Sequence, residues 1–413
     1  MLALIALRNL FRNTRRTVLS LVIVSVGTIG LLVTAGFVRN SFDGLRDAVI
    51  QGGLGHLEVA PASDTEAAAS PADRSGSPPA LRDWRTLRAA IEGRPHVRAA
   101  GAVIQFTGVA TNGERSAAFV GVAAEPARER LMGMDTKLRG GANLPEKEMA
   151  AGEERVLLGV GLARALTAVP GDTIAVMAAT PDGSLNAIDV TVAGLFSTGF
   201  QELDSRILKT DVTTGQRLLG TDLVNSLIVG LTDTKATALE ETALRRAFAG
   251  NVQPLSVLSW ETRAPFYHQV RALYSGIFAF FGVIVTVLVI LSISNTMLMS
   301  VLERVREFGA LLAIGTSRAQ LARLLMFEAL WLALFGVIAG SALGLALVAV
   351  INALRIDMPP PPGAVDPIQL VLAVVPSDVL AICAFMTIIL SGAAVPPILR
   401  VLRLSIVDAL GHV

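Results

Sequence analysis

Residues 295–331 read NTMLMSVLERVREFGALLAIGTSRAQLARLLMFEALW and join two long apolar runs. Between those runs, this is the one place where charges crowd together. Val301, Leu302, Val305, Phe308, Leu311, Leu312 and Ile314 recur at helical spacing, leaving Glu303, Arg304, Arg306 and Glu307 mostly on the other side. Glu303 with Arg306, and Arg304 with Glu307, are opposite-charge i,i+3 pairs, each contributing only about 0.2–0.5 kcal/mol on an exposed helix. Gly315 is placed to end this helix in a left-handed conformation, and Ser317 with Gln320 has capping-box spacing for the next one. The stretch predicts a short amphipathic helix on a membrane surface, turned sharply into a spanning helix.

The wider composition agrees. Of 413 residues, 52% are hydrophobic and 17% charged, which is too apolar for an ordinary soluble protein. A formal net charge of +1 gives no sign of a nucleic-acid partner. The single cysteine, Cys383, lies in an apolar run and excludes an intrachain disulfide. His56, His96, His268 and His412 show no ligand spacing, so no metal site is expected.

Working outward, the sequence predicts a membrane protein with four transmembrane α-helices and a large α+β extracytoplasmic domain between the first and second. Residues 1–17 read as a cytoplasmic interfacial helix carrying Arg8, Arg12, Arg15 and Arg16, followed by a first span at 18–38. That apolar run is too long for a signal-peptide core, and no small-x-small site follows it. Residues 39–274 form the polar domain. A loop at 61–80 is rich in Ala, Ser, Pro and Asp, and Asn112-Gly113 marks a hairpin between strands at 103–110 and 115–122. Further strands are expected at 173–178, 188–196 and 226–231, with a strand-to-helix turn within 156–166 and helices near 84–91, 216–219 and 236–248.

The second span is placed at 275–299, the amphipathic helix at 300–316 and the third span at 317–354, which is long enough to project beyond a core of about 30 Å. A Pro-rich loop at 355–378 precedes a fourth span at 379–396 and a tail at 397–413. Arginines cluster before the first span, between the second and third, and after the fourth. The positive-inside rule therefore puts both termini in the cytoplasm, with the large domain and the Pro-rich loop outside.

Several chemistries are absent from the sequence. There is no G-x-x-x-x-G-K-[ST] phosphate loop, no H-E-x-x-H and no G-x-S-x-G, so no catalytic residues are assigned. Gly159-Val160-Gly161 follows a strand, but Arg164 stands where a dinucleotide fingerprint needs glycine. Glu328 is the main ionisable residue within the spans and reads as an interface position. Gly336, Gly340 and Gly344 are spaced by four on the third span, and Gly27 and Gly30 make the first span similarly small-faced. Such faces pack within one bundle, slide past each other or form a subunit interface.

The order of span, external domain and three further spans, with E-R-x-R-E-F-G-x-L-x-A-I-G-x-S at 303–317, resembles the MacB/LolC/FtsX-type permeases of ABC transporters, the type VII class. By that resemblance Glu303, Arg304, Arg306, Glu307, Phe308, Gly309, Leu312 and Gly315 belong to the ATPase-coupling helix. Residues 156–159, 171–172, 192–196 and 199–204 look most like the lipoprotein-releasing permeases.

The resemblance implies a non-catalytic subunit with no cofactor of its own, ATP and Mg being bound by a partner ABC-type ATPase. It also implies a dimer with a second copy or a paralogue, contact with membrane lipid, and a bacterial inner-membrane location. A periplasmic adaptor or carrier protein would be a further partner. The leading expectation is transmission of ATP-driven motion to the periplasmic domain to extract or export lipoproteins or other hydrophobic envelope cargo. The alternatives are MacB-like drug, toxin or peptide efflux with an adaptor, and FtsX-like regulation of a cell-wall hydrolase.

Overall fold

The computed structural model describes residues 2–12, 14–62, 81–134, 136–147, 149–359 and 368–402. Most of the expected loop at 61–80, the centre of the Pro-rich loop and the tail beyond 402 lie outside these residues. Among the described residues, four helices are long and apolar enough to cross a membrane. They run Thr14–Val49, Pro265–Glu303, Arg318–Leu354 and Pro376–Ala393, the last followed by Val395–Leu402.

These helices overrun the expected spans. Arg15, Arg16 and Thr17 belong to the first long helix, and the interfacial helix is Leu2–Arg12. The fourth long helix starts at Pro376 rather than 379, because proline fits the first helical turn, where its missing N–H has no partner to lose. Hydropathy marks the apolar part of a helix, and polar residues at either end continue it at little cost.

Two compact units result: Met1–Asp43, Arg271–Met358 and Gln369–Val413 form one, and Gly44–Val270 with Pro359–Ile368 the other. In the helical unit, the glycine row of the third long helix lies against the first. A Cβ on Gly336 would stand 2.6 Å from the Val24 side chain, and one on Gly340 would stand 2.8 Å from the Ser25 backbone. Gly344 faces Leu32 and Ile29. The Ser25 hydroxyl donates to the Gly336 carbonyl at 3.1 Å. The row thus has packing partners within its own chain. Gly27 meets Val289 of the second long helix, while Gly30 is exposed with open space beside it.

The other unit is built on one ten-stranded sheet. Its strands are β1 (Leu57–Pro61), β2 (Val97–Thr111), β3 (Ser116–Ala124), β4 (Lys137–Gly141), β5 (Arg155–Gly159), β6 (Thr173–Ala179), β7 (Leu185–Ser197), β8 (Ile207–Asp211), β9 (Ser226–Leu231) and β10 (Leu255–Ser259). β2 is long enough to serve two assemblies. Its first half pairs with β9, extending an antiparallel run to β1 and β10. Its second half pairs with β6, and the path β2-β3-β8-β5-β7-β6 closes into a ring. The β2–β3 hairpin turns where Asn112-Gly113 predicts, Gly113 taking φ +94° and the Asn112 side chain accepting from Arg115 N–H at 2.8 Å.

Within this hairpin Phe106 lies opposite Gly121 and Phe119 opposite Gly108, and the two rings meet edge to face at 5.8 Å. A Cβ on Gly121 would sit 2.4 Å from the Phe106 ring, so only glycine leaves that space. One core joins both halves of the sheet, with Leu57, Val229, Ile104, Phe119, Val176 and Leu208 all buried in it. β4 is a short edge strand with a register shift between Leu138 and Gly140. At the other edge, Arg245 Nε donates to the Val257 carbonyl of β10 at 3.2 Å.

Charges and a buried imidazole tie the segments at the limits of this unit. Arg263 Nε stands 2.7 Å from Glu58 Oε2, the two side chains being 7% and 5% exposed. Arg263 also donates to the Leu54 carbonyl at 3.0 Å. His56 accepts from Leu231 N–H at Nδ1 (3.1 Å), and its Nε2 lies 3.1 Å from the Thr234 hydroxyl.

Candidate functional site

The connector between the second and third long helices is built from two stops and two starts. The second long helix ends at Glu303, and Arg304 leaves helical geometry at φ −112°, ψ 16°. The short helix is therefore Val305–Ala313 rather than 300–316, with Val301, Leu302 and Glu303 on the preceding helix. It ends in a Schellman motif: Gly315 has φ +98°, Thr316 N–H reaches the Leu311 carbonyl at 3.0 Å, and Gly315 N–H reaches Leu312 at 3.2 Å. Ser317 and Gln320 then form the expected capping box, at 3.2 Å and 2.9 Å. Orphan backbone groups are thus satisfied at both sides of the bend.

The two faces of the short helix differ. Val305, Phe308 and Gly309 are buried, Phe308 being 1% exposed and packed in the core of the helical unit. Leu312 is half-buried against that core. Arg306, Ala310, Ala313, Ile314 and Gly315 are exposed, Ile314 to 80%. Phe308, Gly309 and Leu312 therefore seat the helix, while Arg306 lies on its outer side and Gly315 just past its end; Glu303 is an exposed residue at the end of the preceding helix. Ala313 and Ile314, which stand in the sequence motif, and Ala310, which does not, complete that outer side. Ala310 follows from the helical repeat, being placed opposite the apolar stripe that holds Val305 and Phe308.

Arg304 is the hub. Its Nε lies 2.9 Å from Glu307 Oε2, and one terminal nitrogen lies 3.3 Å and 3.5 Å from the two oxygens of Glu328. The guanidinium carbon stands 5.1 Å from the Phe308 ring centroid. Asn9 of the interfacial helix donates to Glu328 Oε1 at 2.6 Å, and Arg12 pairs with Glu307. The hydrogen bond from Arg304, reinforced by Arg12, holds the Glu307 carboxyl below the usual carboxylate range against the opposing effect of partial burial. Glu328 was legible as the main ionisable residue of the spans and read as an interface position; the structure buries it and gives it two partners. Its partners lie 24 and 319 positions away, which no local pattern gives.

The interfacial helix is also fixed by Trp331, whose indole N–H donates to the Ala3 carbonyl at 3.0 Å, and by Thr17, whose hydroxyl donates to the Leu10 carbonyl at 2.7 Å. Three elements meet at this point: the interfacial helix, the short helix and the start of the third long helix.

Comparison with known proteins follows the same division. The MacB-like periplasmic core domain family matches residues 17–247, and the FtsX-like permease C-terminal family matches residues 279–406. The chain is 28% identical over 84% of its length to the lipoprotein-releasing system transmembrane protein LolC of Neisseria meningitidis serogroup B, covering 81% of that protein. It is 33% identical over 38% of its length to an uncharacterised ABC transporter permease of Methanocaldococcus jannaschii, covering 40% of it. Among solved structures, the periplasmic region of MacB from Actinobacillus actinomycetemcomitans matches 53% of this chain and 95% of its own, with 15% identity and a TM-score of 0.37.

Proposed function

Because the chain belongs to the family of ABC transporter permeases with a MacB-like periplasmic core domain and an FtsX-like C-terminal region, a multi-pass class that works with a partner ATPase, we propose that its short helix is the contact through which that ATPase drives it. The observation that carries this is the division of Val305–Ala313 into a buried seat and an exposed side ending in Ile314. A helix seated by Phe308 and stopped at both ends moves as a body when its outer side is pushed. ATP and Mg then belong to the partner, and this chain supplies transmission rather than catalysis.

The motion is proposed to act on cargo already outside the cytoplasm, with both termini inside and the sheet domain in the periplasm of a bacterial inner membrane. The arginine distribution supports that orientation. Similarity to LolC over most of both chains supports lipoproteins, or other acylated envelope cargo, as the class moved. The permease acts as a dimer, with itself or a paralogue. Phe280, Phe281, Val283 and Leu288, exposed on the second long helix, offer apolar surface for that contact or for lipid.

The test is reconstitution with the cognate ATPase in nanodiscs, reading ATP hydrolysis with and without a synthetic triacylated lipopeptide. Ile314→Asp is expected to weaken assembly with the ATPase by about 2 kcal/mol or more, as for an apolar anchor at the centre of a contact. Assembly and stimulation at the wild-type level would show that the ATPase engages another surface.

A further inference from the structure

Beside the Arg304 network, the helical unit holds a cavity of about 260 Å³. Its wall takes polar groups from five elements: Asn9 from the interfacial helix, Ser20 from the first long helix, Thr296 and Ser300 from the second, Glu307 from the short helix and Glu328 from the third long helix. Ser20 is 1% exposed, and its hydroxyl has no hydrogen-bond partner among the described residues. A polar cavity of this size has room for water, and Ser20 lies at its wall with an unspent hydroxyl.

The bonds around Arg304 are unequal. Its bond to Glu307, within the connector itself, is 2.9 Å, while those to Glu328, on the third long helix, are 3.3 Å and 3.5 Å. Glu328 keeps a second donor, Asn9, at 2.6 Å. Displacing the short helix therefore preserves the nearer pair and gives up the farther one, and Asn9 still holds one oxygen of Glu328 when Arg304 departs. In a dry site, such a break would strand two charges at prohibitive cost. A cavity with room for water would remove that obstacle.

We propose that Glu328 is a positioning residue for the short helix, holding it through Arg304, and that the hydrated cavity lets Arg304 leave Glu328 for water and the cavity hydroxyls during the ATPase stroke. The inference rests on the short helix being the ATPase contact. Arg304 is suited to the part because it is itself the non-helical residue between two helices, so a change in its backbone re-aims its own side chain.

The experiment uses the full chain with its ATPase in nanodiscs. Glu328→Gln keeps the shape and an acceptor for Asn9 but removes the charge. The complex is expected to form, with stimulation by the lipopeptide falling about tenfold, inside the 5–150-fold range typical of coupling between sites. Glu328→Asp, which restores the charge, is expected to recover part of it. A second readout keeps Glu328 intact: Ser20→Cys in a Cys383→Ser background, labelled by a water-soluble maleimide, should react faster with ATP cycling than without. Wild-type stimulation in Glu328→Gln, or a thiol at position 20 that stays unreactive in every state, overturns the proposal. If the wild-type complex itself shows no stimulation, the underlying reading of the short helix fails instead. Should Glu328→Gln not assemble, the labelling result decides.

Discussion

Arg263 and Arg304 flank the same helix, Pro265–Glu303, one just before its start and the other just after its end, and each is bound to a glutamate from elsewhere in its unit. At the first, Arg263 and Glu58 are 7% and 5% exposed, the bond is 2.7 Å, and a backbone carbonyl takes another N–H. At the second, Arg304 is 18% exposed, its reach to Glu328 is 3.3 Å, its other partner Glu307 is 37% exposed, and a polar cavity adjoins it. Equal chemistry in unequal surroundings gives unequal mechanics. A sealed pair is held because breaking it strands a charge, whereas a pair beside water can be exchanged. The first joint fixes where a helix begins, and the second permits its far end to be worked.

The comparison breaks most directly at Glu58. Glu58→Ala should destabilise the sheet unit by about 3–5 kcal/mol, the cost of an uncompensated buried arginine, read by urea unfolding of the full chain in detergent. A loss under about 1 kcal/mol would make the two joints equivalent. His56 sharpens the same point through pH. Burial lowers its pKa from the ordinary histidine value, with Arg46 acting in the same direction and Asp47 and Asp233 opposing. The folded pKa being the lower one, stability is complete above the ordinary histidine value and falls as pH drops through the folded pKa. Protonation also removes the acceptor for Leu231 N–H. Unfolding midpoints measured from about pH 8 to about pH 5 should therefore fall for the wild type and stay flatter for His56→Gln; parallel curves would exclude His56 as the cause. The smallest effect is expected at the working joint. Arg12, 70% exposed, pairs with Glu307, and Arg12→Ala should cost about 0–1 kcal/mol in the same unfolding assay.

Local chemistry was legible in the sequence, and distant pairing was not. Asn112-Gly113, Gly315 and the Ser317–Gln320 box each specify a bend through their own backbone needs, and each bend is where the sequence places it. The strand at β9 and the turn from β5 into the following helix were readable from apolar runs. β8 (ILKTD) and β10 (LSVLS) were missed, being short, without clear alternation, and held by partners far away in the chain: β10 pairs with β1 across nearly the whole domain. The closure of the ring depends on β2 changing partners midway, which no periodicity of β2 itself records. At the candidate site the amphipathic stripe was visible, but the pattern alone does not separate its inward members from its outward ones. Only the position of Arg304, out of helical geometry, separates Phe308 as a buried seat from Ile314 as an exposed end.

The two ends of the sheet order, β4 and β10, bear on how such a domain avoids acquiring a further strand. A bare strand edge is a template on which another polypeptide can add itself. β4 presents Lys137 and Arg139 and is bent by its register shift, both of which discourage a further strand. On β10 the Val257 carbonyl is already taken by Arg245. The closed ring consumes the rest of the potential templates by pairing them with each other. The same topology that shapes the domain therefore also guards it against templated aggregation.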